Sequence, residues 1–116
     1  MTTPNYGNNL TLLPAGTVIT TAGTSSSVEL DDKGDFRGTL TVTAASGTTP
    51  SLTMNIQASA DNGSTDTWRT VGSFTAVTTA TTVHLDVSID RFIRAQWGTP
   101  SGTTPSFTVT HTGEAV

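Results

Sequence analysis

Ser46-Gly47-Thr48-Thr49-Pro50-Ser51 returns unchanged as Ser101-Gly102-Thr103-Thr104-Pro105-Ser106. Each copy is flanked by apolar residues at every second position. Leu40, Val42 and Ala44 precede the first copy, and Leu52, Met54 and Ile56 follow it. Ile93, Ala95 and Trp97 precede the second, and Phe107 and Val109 follow it. A Ser/Gly/Thr/Pro cluster between two period-2 runs reads as a β-hairpin loop, because Gly supplies unusual backbone angles and Pro interrupts a hydrogen-bond ladder. The repeat therefore predicts two similar hairpins, one in the middle of the chain and one at its end.

Working outward, other runs show the same alternation. Val83, Leu85, Val87 and Ile89 alternate with Thr82, His84, Asp86 and Ser88, which is the pattern of a half-buried strand. Short strands are also expected over 17–21, 27–30 and 67–74. Turns are expected at Pro14-Ala15-Gly16 and at Asp61-Asn62-Gly63-Ser64, where Asn-Gly supplies positive φ. No window carries apolar residues at helical period. About eight regularly spaced strands predict an all-β chain: a two-sheet antiparallel β-sandwich, with jelly-roll or immunoglobulin-like topology. The expected inward set is Leu40, Val42, Leu52, Met54, Ile56, Trp68, Phe74, Val83, Leu85, Val87, Ile93, Trp97, Phe107 and Val109.

The 116 residues suit one domain. Residues 1–14 read as an extended N-terminal arm and 15–116 as a single β-sandwich domain. Within the arm, Leu10-Thr11-Leu12-Leu13 reads as one anchoring strand; in a sharper reading the arm lies on a neighbouring subunit, with Tyr6, Leu10, Leu12 and Leu13 as candidate partner contacts. The first residues lack both a basic region and an apolar run, so no secretory leader is expected. No apolar run approaches the ~18 residues of a membrane span. The net charge of −4 and five scattered basic residues disfavour a nucleic-acid partner. Charged residues are only 12 % of the chain, and Thr makes up roughly a quarter of it. Thr is β-branched and suits a pleated, hydrogen-bonding surface packed against neighbours. With no Cys, disulfides, thiolate metal sites and Cys nucleophiles are all absent.

Sites of chemistry are sparse. His84 falls on the polar face of its strand, and His111 is in phase with Phe107 and Val109. No H-E-x-x-H motif and no Gly-x-Ser-x-Gly elbow accompanies either, so a small hydrolase using one of them is the weakest reading. Asp31, Asp32 and Asp35, and Asp61, Asn62 and Asp66, form oxygen-rich loops. They lack the EF-hand ligand spacing and closing Glu, so turn-forming roles are expected rather than Ca²⁺ binding. Arg91 and Arg94 offer a small anion site, but the favoured readings are surface pairing with Asp86 or Asp90, or candidate partner contacts across a subunit boundary. Trp68, Trp97, Phe74 and Tyr6 offer a sugar platform if exposed, although the alternation places Trp68 and Trp97 in the core. No catalytic residue, cofactor or metal is expected.

The stretches 40–52 (Leu-Thr-Val-Thr-Ala-Ala-Ser-Gly-Thr-Thr-Pro-Ser-Leu), 61–68 (Asp-Asn-Gly-Ser-Thr-Asp-Thr-Trp), 92–97 (Phe-Ile-Arg-Ala-Gln-Trp) and 106–113 (Ser-Phe-Thr-Val-Thr-His-Thr-Gly) resemble small β-sandwich virion proteins of tailed bacteriophages. The resemblance covers residues 36–116 and is one of punctuation and composition. It implies a head decoration or minor capsid protein, made in the host cytoplasm and carried on the virion. It also implies the major capsid protein as partner and a homo-oligomer, such as a trimer, on the capsid lattice. It carries over no catalytic residues. The alternative is a phage tail or surface module that recognises carbohydrate or a receptor.

Overall fold

The computed structural model describes residues 10–30 and 34–116. Among them the chain forms nine strands: β1 (Leu10–Ile19), β2 (Gly23–Thr24), β3 (Val28–Glu29), β4 (Asp35–Ser51), β5 (Met54–Ser59), β6 (Arg69–Ser73), β7 (Thr81–Ser88), β8 (Phe92–Trp97) and β9 (Ser101–Ala115). They build two antiparallel sheets, ordered β1-β9-β4-β7 and β2-β8-β5-β6, with β3 also on β8. The body measures 42 × 27 × 23 Å.

The organising element is a long two-stranded ribbon. Its β4 and β9 arms pair from Phe36 opposite Ala115 to Ser51 opposite Ser101. Its β5 and β8 arms continue the pairing in the second sheet, from Met54 opposite Trp97 to Ser59 opposite Phe92. The ribbon thus folds over from one sheet to the other, with β7 and β6 flanking one side and β1, β2 and β3 the other. An antiparallel ribbon wrapped in this way is a jelly roll, which decides between the two topologies the sequence left open.

The repeat does not make two hairpins. Its two copies pair with each other, Ser46 opposite Ser106, Thr48 opposite Thr103 and Ser51 opposite Ser101. The reason lies in the flanking runs. Leu40 and Val42 belong to one sheet and Met54 and Ile56 to the other, so they meet across the core, where a hairpin would place them side by side. The six residues form the corner between sheets. Gly47 and Gly102 adopt φ of 105° and 111°, and Thr49 and Thr104 adopt 48° and 46°. A Cβ on Gly47 would stand 2.7 Å from the Thr103 and Thr104 carbonyl oxygens, and one on Gly102 would stand 2.7 Å from those of Thr48 and Thr49. Identical sequences in antiparallel register create a local two-fold, and glycine is required on both sides of it.

Of the expected core, Leu40, Val42, Leu52, Met54, Ile56, Phe74, Val87, Ile93, Trp97, Phe107 and Val109 are buried. Val83 and Leu85 lie at its margin, since β7 is an edge strand, and Trp68 is only half-buried. The core also takes in Phe36, Ile19, Leu30 and Val77. Leu10, Leu12 and Leu13 belong to it too, with relative exposures of 3 %, 5 % and 6 %. The boundary expected at residue 14 therefore falls inside β1. Pro14 and Gly16 do not end the strand. The irregular register between Leu13 and Thr17 absorbs them, which an edge strand tolerates because one side of its backbone needs no ladder partner.

Candidate functional site

The outer face of the four-stranded sheet is built from the polar positions of β1, β9, β4 and β7. Thr11, Thr112, Thr39 and His84 face one another across the four strands in one row, and Thr110, Thr41 and Thr82 form the next. The Thr43 hydroxyl donates to the Thr108 carbonyl at 3.2 Å. His84 Nδ1 lies 3.1 Å from Thr39 Oγ1. Charge is confined to one end, where Arg37 sits opposite Glu114 on one side and Asp86 on the other. These residues, with His84, Thr39 and Thr112, line an open depression of about 480 Å³. The face is a field of hydroxyls with a rim of one cation between two carboxylates, suited to lateral hydrogen bonding.

The outer face of the five-stranded sheet has different chemistry. Ser73 Oγ donates to Asn55 Oδ1 at 2.6 Å, and Asn55 Nδ2 donates to Gln96 Oε1 at 2.7 Å. Arg94 Nε donates to Gln57 Oε1 at 2.8 Å, and its guanidinium lies 4.5 Å from the Trp68 ring centroid. Trp68 reaches this position because the turn after β5 is tied down. The Asp61 carboxylate accepts the Thr65 and Asp66 amides at 2.9 and 3.0 Å, which holds its pKa below the usual carboxylate value. The Ser59 hydroxyl donates to the Asp66 carbonyl and accepts from the Gly63 amide at 2.8 Å. Gly63 then packs against the pyrrole side of Trp68, where a Cβ would collide.

The expected site residues are dispersed. Tyr6 lies outside the described residues, as do Asp31 and Asp32. Leu10, Leu12 and Leu13, expected as arm contacts, point into the chain's own core, because β1 continues through them beside β9. Arg91 pairs with Glu29 and lies over the Phe92 ring, while Asp90, one of its expected partners, pairs with Arg69 instead. Arg94 finds neither expected carboxylate. Its strand neighbour across the sheet is Gln57, and Asp86 lies on the other sheet. Asp61 serves as a turn carboxylate, and no metal-binding group of His, Asp or Glu occurs among the described residues.

The aromatic platform does not assemble. Trp97 is buried and donates from Nε1 to the Thr21 carbonyl at 2.9 Å, and Phe74 is buried against His111. His111 is fully buried between the Phe36 and Phe74 rings, with no hydrogen-bond partner for either ring nitrogen among the described residues. Burial pushes its pKa down to about 4. The ring lies in the core on the same face as Phe107 and Val109, as its phase with them requires.

No protein-family model matches this chain, and a search of curated proteins found no match.

Proposed function

We propose that this chain is a non-enzymatic structural virion protein that binds the outer surface of a phage capsid and stabilises it, as an oligomer on the lattice. The observation that carries the reading is the threonine field on the four-stranded sheet. Rows of Thr39, Thr41, Thr110 and Thr112 present hydroxyls without charge, so docking there costs little desolvation compared with burying ionised groups. Many weak copies of such a contact add up on a repeating lattice. A jelly roll hosts many functions, so the fold supports this reading only as a rigid scaffold.

The test is co-sedimentation of the purified protein with bare shells of its source phage. The expected result is saturation at a fixed ratio to the major capsid protein. Thr41→Lys places a charge in the middle of the field and is expected to abolish binding while leaving the melting temperature within a few degrees of the wild type. Removing residues 1–9 leaves β1 complete and separates any contribution of Tyr6 from that of the sheet. Failure of the intact protein to sediment with shells would overturn the proposal.

A further inference from the structure

We infer that the outer face of the five-stranded sheet is a binding site for a carboxylate-bearing glycan, with the Arg94 guanidinium as its anchor. This goes beyond the capsid reading and does not rest on it, since it concerns the opposite face of the sandwich.

The argument begins with hydrogen-bond accounting. The oxygens of Asn55, Gln57 and Gln96 all accept bonds, from Ser73, Arg94 and Asn55 respectively. The Gln57 and Gln96 amide nitrogens donate to no group among the described residues. Each is half-buried on a polar sheet face. Arg94 donates only through Nε, so its two terminal nitrogens also have no acceptor among the described residues. Each amide oxygen already accepts one bond, whereas the Gln57 and Gln96 amide nitrogens and the two terminal Arg94 nitrogens donate to nothing among the described residues, so free donors predominate on the face. A complementary ligand is rich in acceptor oxygens.

Charge narrows the class. Arg69 is bound by Asp66 and Asp90, and Arg91 by Glu29. Arg94 has no carboxylate within ion-pair distance among the described residues, although the chain carries nine acidic residues and five basic ones. The guanidinium carbon lies over the Trp68 ring and Gln57 holds Nε, so the head group is anchored at two points and its terminal fork is left open for a carboxylate. One preorganised cation among neutral amides does not suit a nucleic acid, which needs several cations against successive phosphates. It suits a ligand with one carboxylate set among hydroxyl and ether oxygens, which describes a uronate- or sialate-type sugar. Because the indole is occupied by Arg94 and Gly63, the recognition runs through planar polar groups rather than ring stacking.

The experiment titrates the full chain with a tetrasaccharide of alternating glucuronate and N-acetylglucosamine. A neutral N-acetylglucosamine tetramer and a short Glu-containing peptide serve as the other arms. Binding is followed by NMR shifts of the Asn55, Gln57 and Gln96 side-chain amides and by titration calorimetry. The expected result is saturable binding of the acidic sugar alone, weakened by salt and by at least about tenfold in Arg94→Gln, as for loss of a charge-assisted pair. Gln57→Glu supplies an internal carboxylate beside the fork and is expected to abolish binding without disturbing the fold, which melting curves check. Equal binding of the neutral sugar or of the peptide, no binding of any arm, shifts confined to the other sheet, or unchanged affinity in a folded Arg94→Gln protein would each overturn the assignment.

Discussion

Lowering the pH should destabilise this protein through a single histidine. His111 is enclosed by Phe36, Phe74, Leu40 and Leu13, and a Cβ on Gly38 would stand 3.3 Å from its Nε2. None of these neighbours titrates. Burial alone takes its pKa from 6.5 to about 4 in the folded chain. Between those values the unfolded chain holds a proton that the folded chain does not, so stability rises with pH across the window and is lost as pH falls through it. A displacement of roughly two to three pKa units, at about 1.4 kcal/mol each, amounts to about 3 kcal/mol. That is a large fraction of the 5–15 kcal/mol that roughly spans small-domain stability. Below about 4 the His111 contribution levels off, and further loss comes from carboxylates such as Asp61, whose lowered pKa places its own loss below the ordinary value of 3.8.

The variant that isolates the effect is His111→Leu. It removes two unpaired buried nitrogens and keeps an apolar side chain of similar volume, so at neutral pH it should be neutral or stabilising by about 1–3 kcal/mol. Urea unfolding of both proteins at several pH values between about 7.5 and 4.5 gives the comparison. The wild type should lose about 2.5 kcal/mol over this range through His111, most of the full effect. The variant should lack that component and stay nearly level. Parallel losses in the two proteins, or an NMR titration that puts the folded His111 pKa near 6.5, would refute the reasoning.

Gly47→Ala and Gly102→Ala should each cost about 2–3 kcal/mol, and nearly the same amount, because each forces positive φ on a side chain facing two carbonyl oxygens; thermal melts of the two variants side by side check the equality. Removing residues 1–9 should leave the melting temperature within a few degrees of the full chain, whereas removal through Leu13 should prevent folding, since it strips three core leucines worth about 2–5 kcal/mol each; circular dichroism of the two truncations distinguishes them. Trp97→Ala should cost about 3–5 kcal/mol and Trp68→Ala about 1–2 kcal/mol, because only the first empties a buried site; denaturant midpoints measure both.

Period-2 alternation made most strands legible. It placed Leu40 and Val42, Val83 through Val87, Ile93 through Trp97, and Phe107 and Val109 on strands with the correct inward face. Pairing was not legible, because a Gly/Pro-rich corner between sheets carries the same residues as a hairpin loop. The distinguishing clue was the identity of the two copies, which permits them to pair with each other. Leu10 through Leu13 were legible as an anchoring strand, but its continuation was not, because Pro14 and Gly16 look like an end of structure, whereas an edge strand accommodates both through a bulge. Phe36 was hidden by the charged stretch beside it. The Arg94 environment needed the β5–β8 register: alternation already put Asn55, Gln57, Arg94 and Gln96 outward, but only the pairing set them side by side.

One consequence of the ribbon ties the two outer faces together. Thr39, Thr41 and Thr43 on β4 and Asn55 and Gln57 on β5 are outward positions of the same continuous arm, separated by the corner. The opposite arm carries Arg94 and Gln96 before its corner and Thr108, Thr110 and Thr112 after it. A slip of one residue between the arms would turn every outward side chain inward on one of them. The corner guards against this. Gly47 fits against the Thr103 and Thr104 carbonyls, and Gly102 against those of Thr48 and Thr49, only in the observed register. Moving either arm by one residue would put a threonine or serine where only glycine fits. The repeated hexapeptide, which carries no candidate site of its own, therefore sets the register on which both the hydroxyl field and the amide–guanidinium face depend. Its alanine variants should disturb the two faces together, even though no residue of either face has been changed.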